Sequence, residues 1–140
     1  MARLDDGHST TVSFGTSTVT KLYEKEVTPP GMEGGGENDT TTMHNTVYRT
    51  KSPKKLKSLT DMSMVCAYDP AAYSELVAAI NINQLITVTF PDGDTLAFWG
   101  WLDVFTPNAI VEGEQPTANV TIICSNQNAS GVETAPSYSA

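Results

Sequence analysis

Residues 89–103 read "TFPDGDTLAFWGWLD", and this stretch constrains the fold more than any other. Asp92-Gly93 follows a proline and lies between two apolar runs, which is a strong short-range hairpin signal. In a strand the side chains alternate between faces. Leu96, Phe98, Leu102 and Val104 then point one way, with Gly100 among them, while Ala97, Trp99, Trp101 and Phe105 point the other, interrupted by Asp103. A chain of 140 residues has room for one core. The second apolar face therefore needs a cover: a helix of the same chain, another protein, or a ligand.

Eight prolines and ten glycines among many Thr, Ser and Asn favour β structure and loops, and a hydrophobic content of 39% permits only a modest core. No run approaches the roughly 18–20 apolar residues of a membrane-spanning helix, and no membrane binding is expected. The start "MARLDDGHSTT" lacks the apolar middle of a signal peptide. The expectation is a chain made in a cytoplasm.

The net charge of −8 is unevenly spread. Five of the eight basic residues, Arg49, Lys51, Lys54, Lys55 and Lys57, fall in one short stretch, and none follows it. Ordinary nucleic-acid binding needs a broad basic surface, so it is disfavoured. An acidic body can instead partner something basic, including another copy of itself. Cys66 and Cys124 each sit in an apolar alternating run, where a reduced thiol behaves as a small hydrophobe; this reading is favoured over a disulfide. Neither the cysteines nor His8 and His44 show metal-ligand spacing.

Along the chain, "TVSFGTSTVTKLYEKEV" reads as a strand broken at Gly15. Residues 28–38 contain Pro29, Pro30, Gly34, Gly35 and Gly36, and read as a flexible loop. Residues 39–50, "DTTTMHNTVYRT", read as a polar strand, and residues 49–58 as a second long loop in which the lysines repel one another. Met62, Met64, Cys66 and Tyr68 share one face of a strand. Asp69 as N-cap and Pro70 at the first helical position open a helix whose stripe is Tyr73, Leu76, Val77 and Ile80. The hairpin follows, with Ile86, Val88 and Phe90 on one face. A last strand carries Ala118, Val120, Ile122 and Cys124. Residues 126–140 read as a flexible polar tail. The expected fold is mainly β, a small β-sandwich or partly open barrel over residues 1–125 with one flanking α-helix.

Catalytic chemistry is missing. There is no nucleophile elbow, paired-carboxylate arrangement or phosphate loop; "GMEGGGEN" lacks the lysine and the following helix such a loop requires. No enzyme activity and no cofactor are expected. Trp99 and Trp101, about 7 Å apart on one face, leave two readings. They form a sugar-stacking platform in a carbohydrate-binding or adhesin module, or they are covered by protein. Because one short helix cannot cover both faces, self-association is the economical choice.

The order of these pieces resembles the major tail tube protein of long flexible-tailed bacteriophages. The resemblance covers roughly residues 12–125. Its most specific part is Phe90-Pro91-Asp92-Gly93 with the following Phe98, Gly100 and Trp101, supported by "YDPAAYSELVAAI". A tail terminator, or a tube protein of a phage-like secretion or gene-transfer particle, would look similar.

The resemblance implies a structural virion protein of the tail, made in the bacterial host. Six copies would close into a homo-hexameric ring, and rings would stack into a tube. The implied partners are a tape-measure protein, a tail terminator and tail-tip proteins, with DNA passing through unbound. Residues 28–38 (Pro29, Pro30, Gly34, Gly35, Gly36) and the basic segment (Tyr48, Arg49, Lys51, Lys54, Lys55, Lys57) are then candidate contacts between subunits or rings. Thr40, Thr42, His44 and Thr46 are candidates for a polar strand facing the lumen.

Overall fold

The alternating strands at the centre of the sequence assemble into a single curled sheet. A computed structural model describes residues 10–15, 20–21, 23–67 and 73–140. The strands are β1 (Thr11–Phe14), β2 (Thr20–Lys21), β3 (Glu24–Thr28), β4 (Met32–Gly34), β5 (Glu37–Asp39), β6 (Lys51–Pro53), β7 (Lys57–Leu59), β8 (Met62–Ala67), β9 (Gln84–Thr89), β10 (Thr95–Pro107), β11 (Thr117–Cys124) and β12 (Ser137–Ser139). One helix, α1 (Tyr73–Ala79), lies between β8 and β9. The main sheet runs β2-β1-β9-β10-β11-β8-β3, with β12 added beside β10. Its flanks approach each other: the Val12 amide on β1 donates to Glu24 Oε1 on β3 at 2.8 Å. The result is a mainly β, partly open barrel with one flanking helix, as expected.

The inward residues follow the two-residue period. Met62, Met64 and Cys66 of β8, Ile86 and Val88 of β9, Phe98 and Leu102 of β10, and Ala118, Val120 and Ile122 of β11 are all buried in one cluster with Val12 and Phe14. Each such large side chain contributes about 1.5–3 kcal/mol by leaving water. Tyr68, Asp69 and Pro70, the expected strand end and helix cap, lie outside the described residues.

Three expectations are corrected. First, Phe105 does not share a face with Trp101. Leu102 pairs with Ile122 but Val104 pairs with Thr121, so Asp103 is an extra residue, and the bulge flips the alternation. Phe105 turns inward against the core and meets Tyr73 edge-on at 5.8 Å, while Val104 turns outward. The helix end holds this bulge: Ile80 bridges to Leu102, and the Asn81 amide donates to the Leu102 carbonyl at 3.1 Å. Second, the buried helix residues are Leu76 and Ala79. Val77, expected on the stripe, is exposed, because a helix tied down at its C-terminal end by Leu102 presents Ala79 and Ile80 to the sheet.

Third, the C-terminal segment is ordered. β11 reaches β10 only from Gly100 onward, which leaves the edge of β10 at Thr95, Leu96 and Ala97 open. After an excursion closed by Asn128 N–H to Val132 C=O at 2.9 Å, β12 returns and fills that edge. Backbone pairing on a vacant edge needs no apolar side chains, which is why the polar composition concealed it.

Candidate assembly surfaces

Two segments that read as separate loops are the two legs of one hairpin arm, residues 31–60. β4 pairs with β7 (Met32 opposite Leu59, Gly34 opposite Lys57), and β5 pairs with β6 (Glu37 opposite Pro53, Asp39 opposite Lys51). Between the two ladders one leg has residues 35–36 and the other 54–56, so the arm bends there as a bulged strand does. Gly36 has φ +88°, a conformation other residues rarely adopt, and its carbonyl accepts from the Lys54 amide at 3.0 Å. At the base, the Gly31 amide donates to Thr60 Oγ1 at 2.7 Å and the Thr60 amide donates to the Gly31 carbonyl at 2.8 Å. Pro30 is buried beneath this clasp, while Pro29 is exposed.

The polar strand expected over residues 39–50 is absent. β5 ends at Asp39, and Thr40, Thr42, His44 and Thr46 lie in the tip loop of the arm. Short polar side chains satisfy the turning backbone here in place of a ladder. Asp39 Oδ1 accepts from the Thr41 amide at 2.9 Å, Asn45 Oδ1 from the Thr42 amide at 3.0 Å, and the Tyr48 carbonyl from Asn45 Nδ2 at 2.8 Å. The Thr41 hydroxyl and amide, and then Arg49, hold the Asp39 carboxyl below its ordinary range.

Nearly every arm residue is exposed. Met43 is 100% exposed, Tyr48 81%, Leu56 80% and Val47 78%. The arm has five bases against three acids, a net +2, which leaves −10 on the other 110 residues. Lys51 pairs with Glu37 at 2.7 Å and Arg49 with Asp39 at 3.4 Å. Lys54, Lys55 and Lys57, at the bend and on β7, make no ion pair among the described residues. A two-stranded hairpin with both faces in water is marginal by itself.

The Trp-bearing face is less open than its sequence suggests. Trp99 lies opposite Leu85 and Trp101 opposite Ile123 across the sheet, and both indoles are half-buried in the single chain. Their aromatic surface is partly shielded by these cross-strand neighbours, so the pair does not form an open stacking platform. Among the described residues the four most exposed large apolar side chains belong to the arm. No sequence signal marked the arm, because neither leg carries an alternating apolar pattern.

The hairpin between β9 and β10 turns at residues 90–94. The Phe90 amide donates to the Asp94 carbonyl at 2.8 Å, and the Gly93 amide to the Phe90 carbonyl at 3.0 Å. Pro91 and Asp92 form the turn, with Asp92 Oδ1 accepting from the Asp94 amide at 3.2 Å. Behind it, Gly100 lets β11 approach closely: a Cβ there would lie 2.4 Å from the Ile123 carbonyl oxygen.

Cys66 and Cys124 are free thiols. Cys66 lies opposite Ala118, six residues along β11 from Cys124, or about 20 Å of strand. Burial raises the Cys66 thiol pKa, helped by the Glu24 charge, and burial together with Asp61 pushes Cys124 up to about 11. Among the described residues no group of three or more His, Cys, Asp or Glu could hold a metal ion. No helix there is long and apolar enough to cross a membrane.

A curled, partly open sheet with one flanking helix, extended by a projecting arm, is a tail-tube-like architecture. The fold is shared with chains of gene transfer agents and contractile injection systems. A chain of the anti-feeding prophage baseplate, solved with six-fold symmetrisation, matches at a TM-score of 0.65 and 7% identity over 89% of this chain and 94% of that one. A chain from the tail of an empty gene transfer agent particle with C6 symmetry matches at 0.61 and 12% identity over 97% and 99%. A chain of the sheath–tube complex of an extracellular contractile injection system matches at 0.53 and 14% identity over 94% and 88%. No protein-family model and no curated protein matches the sequence.

Proposed function

We propose that this chain is the structural subunit of a tail tube. Copies close into hexameric rings, the rings stack into a tube, and the tube serves as the conduit through which DNA leaves a virion. The observation that carries this reading is the arm, a 30-residue hairpin that one copy leaves almost wholly in water. Such an element gains its stability on a neighbour. The full-length likeness to chains of six-fold particles supports the same reading. Identical head-to-tail contacts close a ring when the rotation permits, and contacts along an axis extend it into a filament.

In this reading the arm residues Tyr48, Arg49, Lys51, Lys54, Lys55 and Lys57 meet an adjacent subunit or ring. Thr40, Thr42, His44 and Thr46 travel with the arm tip as contact residues. The tape-measure protein, tail terminator and tail-tip proteins are the matching partners. The protein acts in the virion tail after synthesis in the host cytoplasm, and its role is structural rather than enzymatic.

Electron micrographs of the concentrated protein test the proposal. Rings or hollow rods of even diameter are expected, and replacing residues 32–58 by a short turn should leave a folded monomer that forms neither. A full-length protein that stays monomeric at high concentration overturns it.

A further inference from the structure

The arm and the most exposed acidic loop leave the sheet at opposite ends. β8 pairs with β11 from Met62 opposite Ile122 to Ala67 opposite Thr117. The arm enters β8 at the Met62 end, where Cys124 Sγ lies 3.5 Å from the Thr60 carbonyl oxygen. The loop of residues 108–116 joins β10 to β11 at the Ala67 end. About 17 Å of strand separates the two.

The loop reads "NAIVEGEQP". Ile110 is 69% exposed and Val111 51%, and Glu112 and Glu114 beside them are exposed as well. Its ends are fixed: the Asn108 amide donates to the Thr117 carbonyl at 2.9 Å, and Asn108 Nδ2 donates to Thr117 Oγ1 at 3.0 Å. Glu24 of β3, opposite Cys66, adds acid at this end. The arm bend carries the opposite chemistry: Lys54, Lys55 and Lys57 around the exposed Leu56. Each surface pairs an apolar knob with charges of one sign. Among the described residues none of Lys54, Lys55, Lys57, Glu112 and Glu114 is in an ion pair within its own chain, though Glu133 lines one pocket with Lys55 and Lys57.

We infer that the loop of residues 108–116 is the receptor for the arm of a second copy of this chain. The contact places Leu56 against Ile110 and Val111, with Lys54, Lys55 and Lys57 facing Glu112 and Glu114. With every copy in the same orientation, two surfaces at opposite ends of one body meet head-to-tail from one copy to the next. It therefore propagates along an axis. The inference rests on the self-assembly reading above and adds the partner surface to it. Lys55, Leu56 and Lys57 line a pocket with Asn126 and Glu133 of their own chain, yet Leu56 stays 80% exposed, which leaves its apolar surface open to a neighbour.

Charge exchange tests it. Lys54→Glu with Lys55→Glu, and separately Glu112→Lys with Glu114→Lys, should each raise the concentration needed for rod formation about tenfold or more. The four substitutions combined should restore assembly toward the unmodified level, with each variant monitored as a folded monomer by circular dichroism. As a second measurement, Leu56→Cys and Ile110→Cys chains mixed under oxidation should give a cross-linked dimer that neither gives alone. If unmodified protein forms rods but the Glu112 and Glu114 reversal has no effect, or the combination fails to restore assembly, this contact is refuted and the tube reading stands. If the unmodified protein forms no rods, both fall.

Discussion

Gly100→Ala isolates the tightest backbone approach in the body. The added Cβ would sit 2.4 Å from the Ile123 carbonyl oxygen, 3.2 Å from the Ile123 carbonyl carbon and 3.2 Å from the Cys124 Cα. Ordinary C···O contacts lie at about 3.3–3.6 Å, so β10 and β11 must separate by about 1 Å. All three obstructing atoms are backbone, and no side chain can swing aside. The hydrogen bond from the Ser125 amide to the Trp99 carbonyl, 2.9 Å, lies at the same point and is weakened with it. Forced repacking costs about 1–3 kcal/mol and a weakened backbone hydrogen bond about 1 kcal/mol, offset by up to about 1 kcal/mol from removing a glycine in a strand. The net is a loss of about 2 kcal/mol, which for a chain of this length lowers Tm by about 7 °C. Thermal unfolding at a concentration where the protein is monomeric measures the shift. Gly34→Ala is the control: its Cβ meets nothing within 4 Å, and it lies in the arm. A Gly100→Ala protein melting within about 2 °C of the parent would refute the argument, since it would mean the two strands separate at no cost.

Two pH effects follow from the titrating groups. The Cys124 pKa is raised from 9.0 to about 11, so the folded state favours the neutral thiol; that stabilisation is complete below pH 9 and is lost as pH rises through 11. Urea unfolding across this window should show an alkaline decline that Cys124→Ala reduces and that the Cys66→Ala, Cys124→Ala pair reduces further, and thiol reagents at pH 8 should modify the native protein far more slowly than the unfolded chain. Asp39 is shifted the other way, so its contribution to the tip is present above the unfolded value of 3.8 and is lost as pH falls through the lower folded value. Hydrogen exchange at Thr41, corrected for intrinsic rates, should accelerate in acid, and in Asp39→Ala it should be fast at every pH while the core of the body is unchanged.

The legible part of the fold was the part with a period. β8, β9 and β11 carry an inward residue at every second position, and their buried sets are the expected ones. Alternation failed in β10 at Asp103, because the bulge depends on a contact from Asn81, more than twenty residues earlier in the chain. The arm was illegible for another reason. With both faces in water it has no apolar face to display, and its two ladders are held by backbone pairing between legs that differ in composition. β12 is held by backbone pairing to β10 and by the Tyr138 hydroxyl donating to Asp94 Oδ2, and left equally little trace. At the candidate site the concentration of lysines was visible, but nothing local showed that the Gly-rich segment lies beside them across a hairpin.

Body and arm divide the work of folding and association. Of the fifteen buried apolar residues in the core, Leu59 alone belongs to the arm, and it sits at the base. The arm therefore adds little to the stability of a single copy, and fixing it costs conformational entropy that only a neighbour's contacts can offset. Substitutions in the body should shift Tm while leaving the arm chemistry intact. Substitutions beyond the Gly31–Thr60 clasp should shift the assembly threshold with Tm unchanged, because distant sites that share no partner act additively. The clasp itself is where the two couple. Thr60 is held to Gly31 on one side and its carbonyl accepts from Cys124 on the other, so substitutions at Thr60 should shift both readouts. Under the proposed assembly, a subunit built this way should stay folded and separate when dilute, with its arm gaining contacts only on a second body.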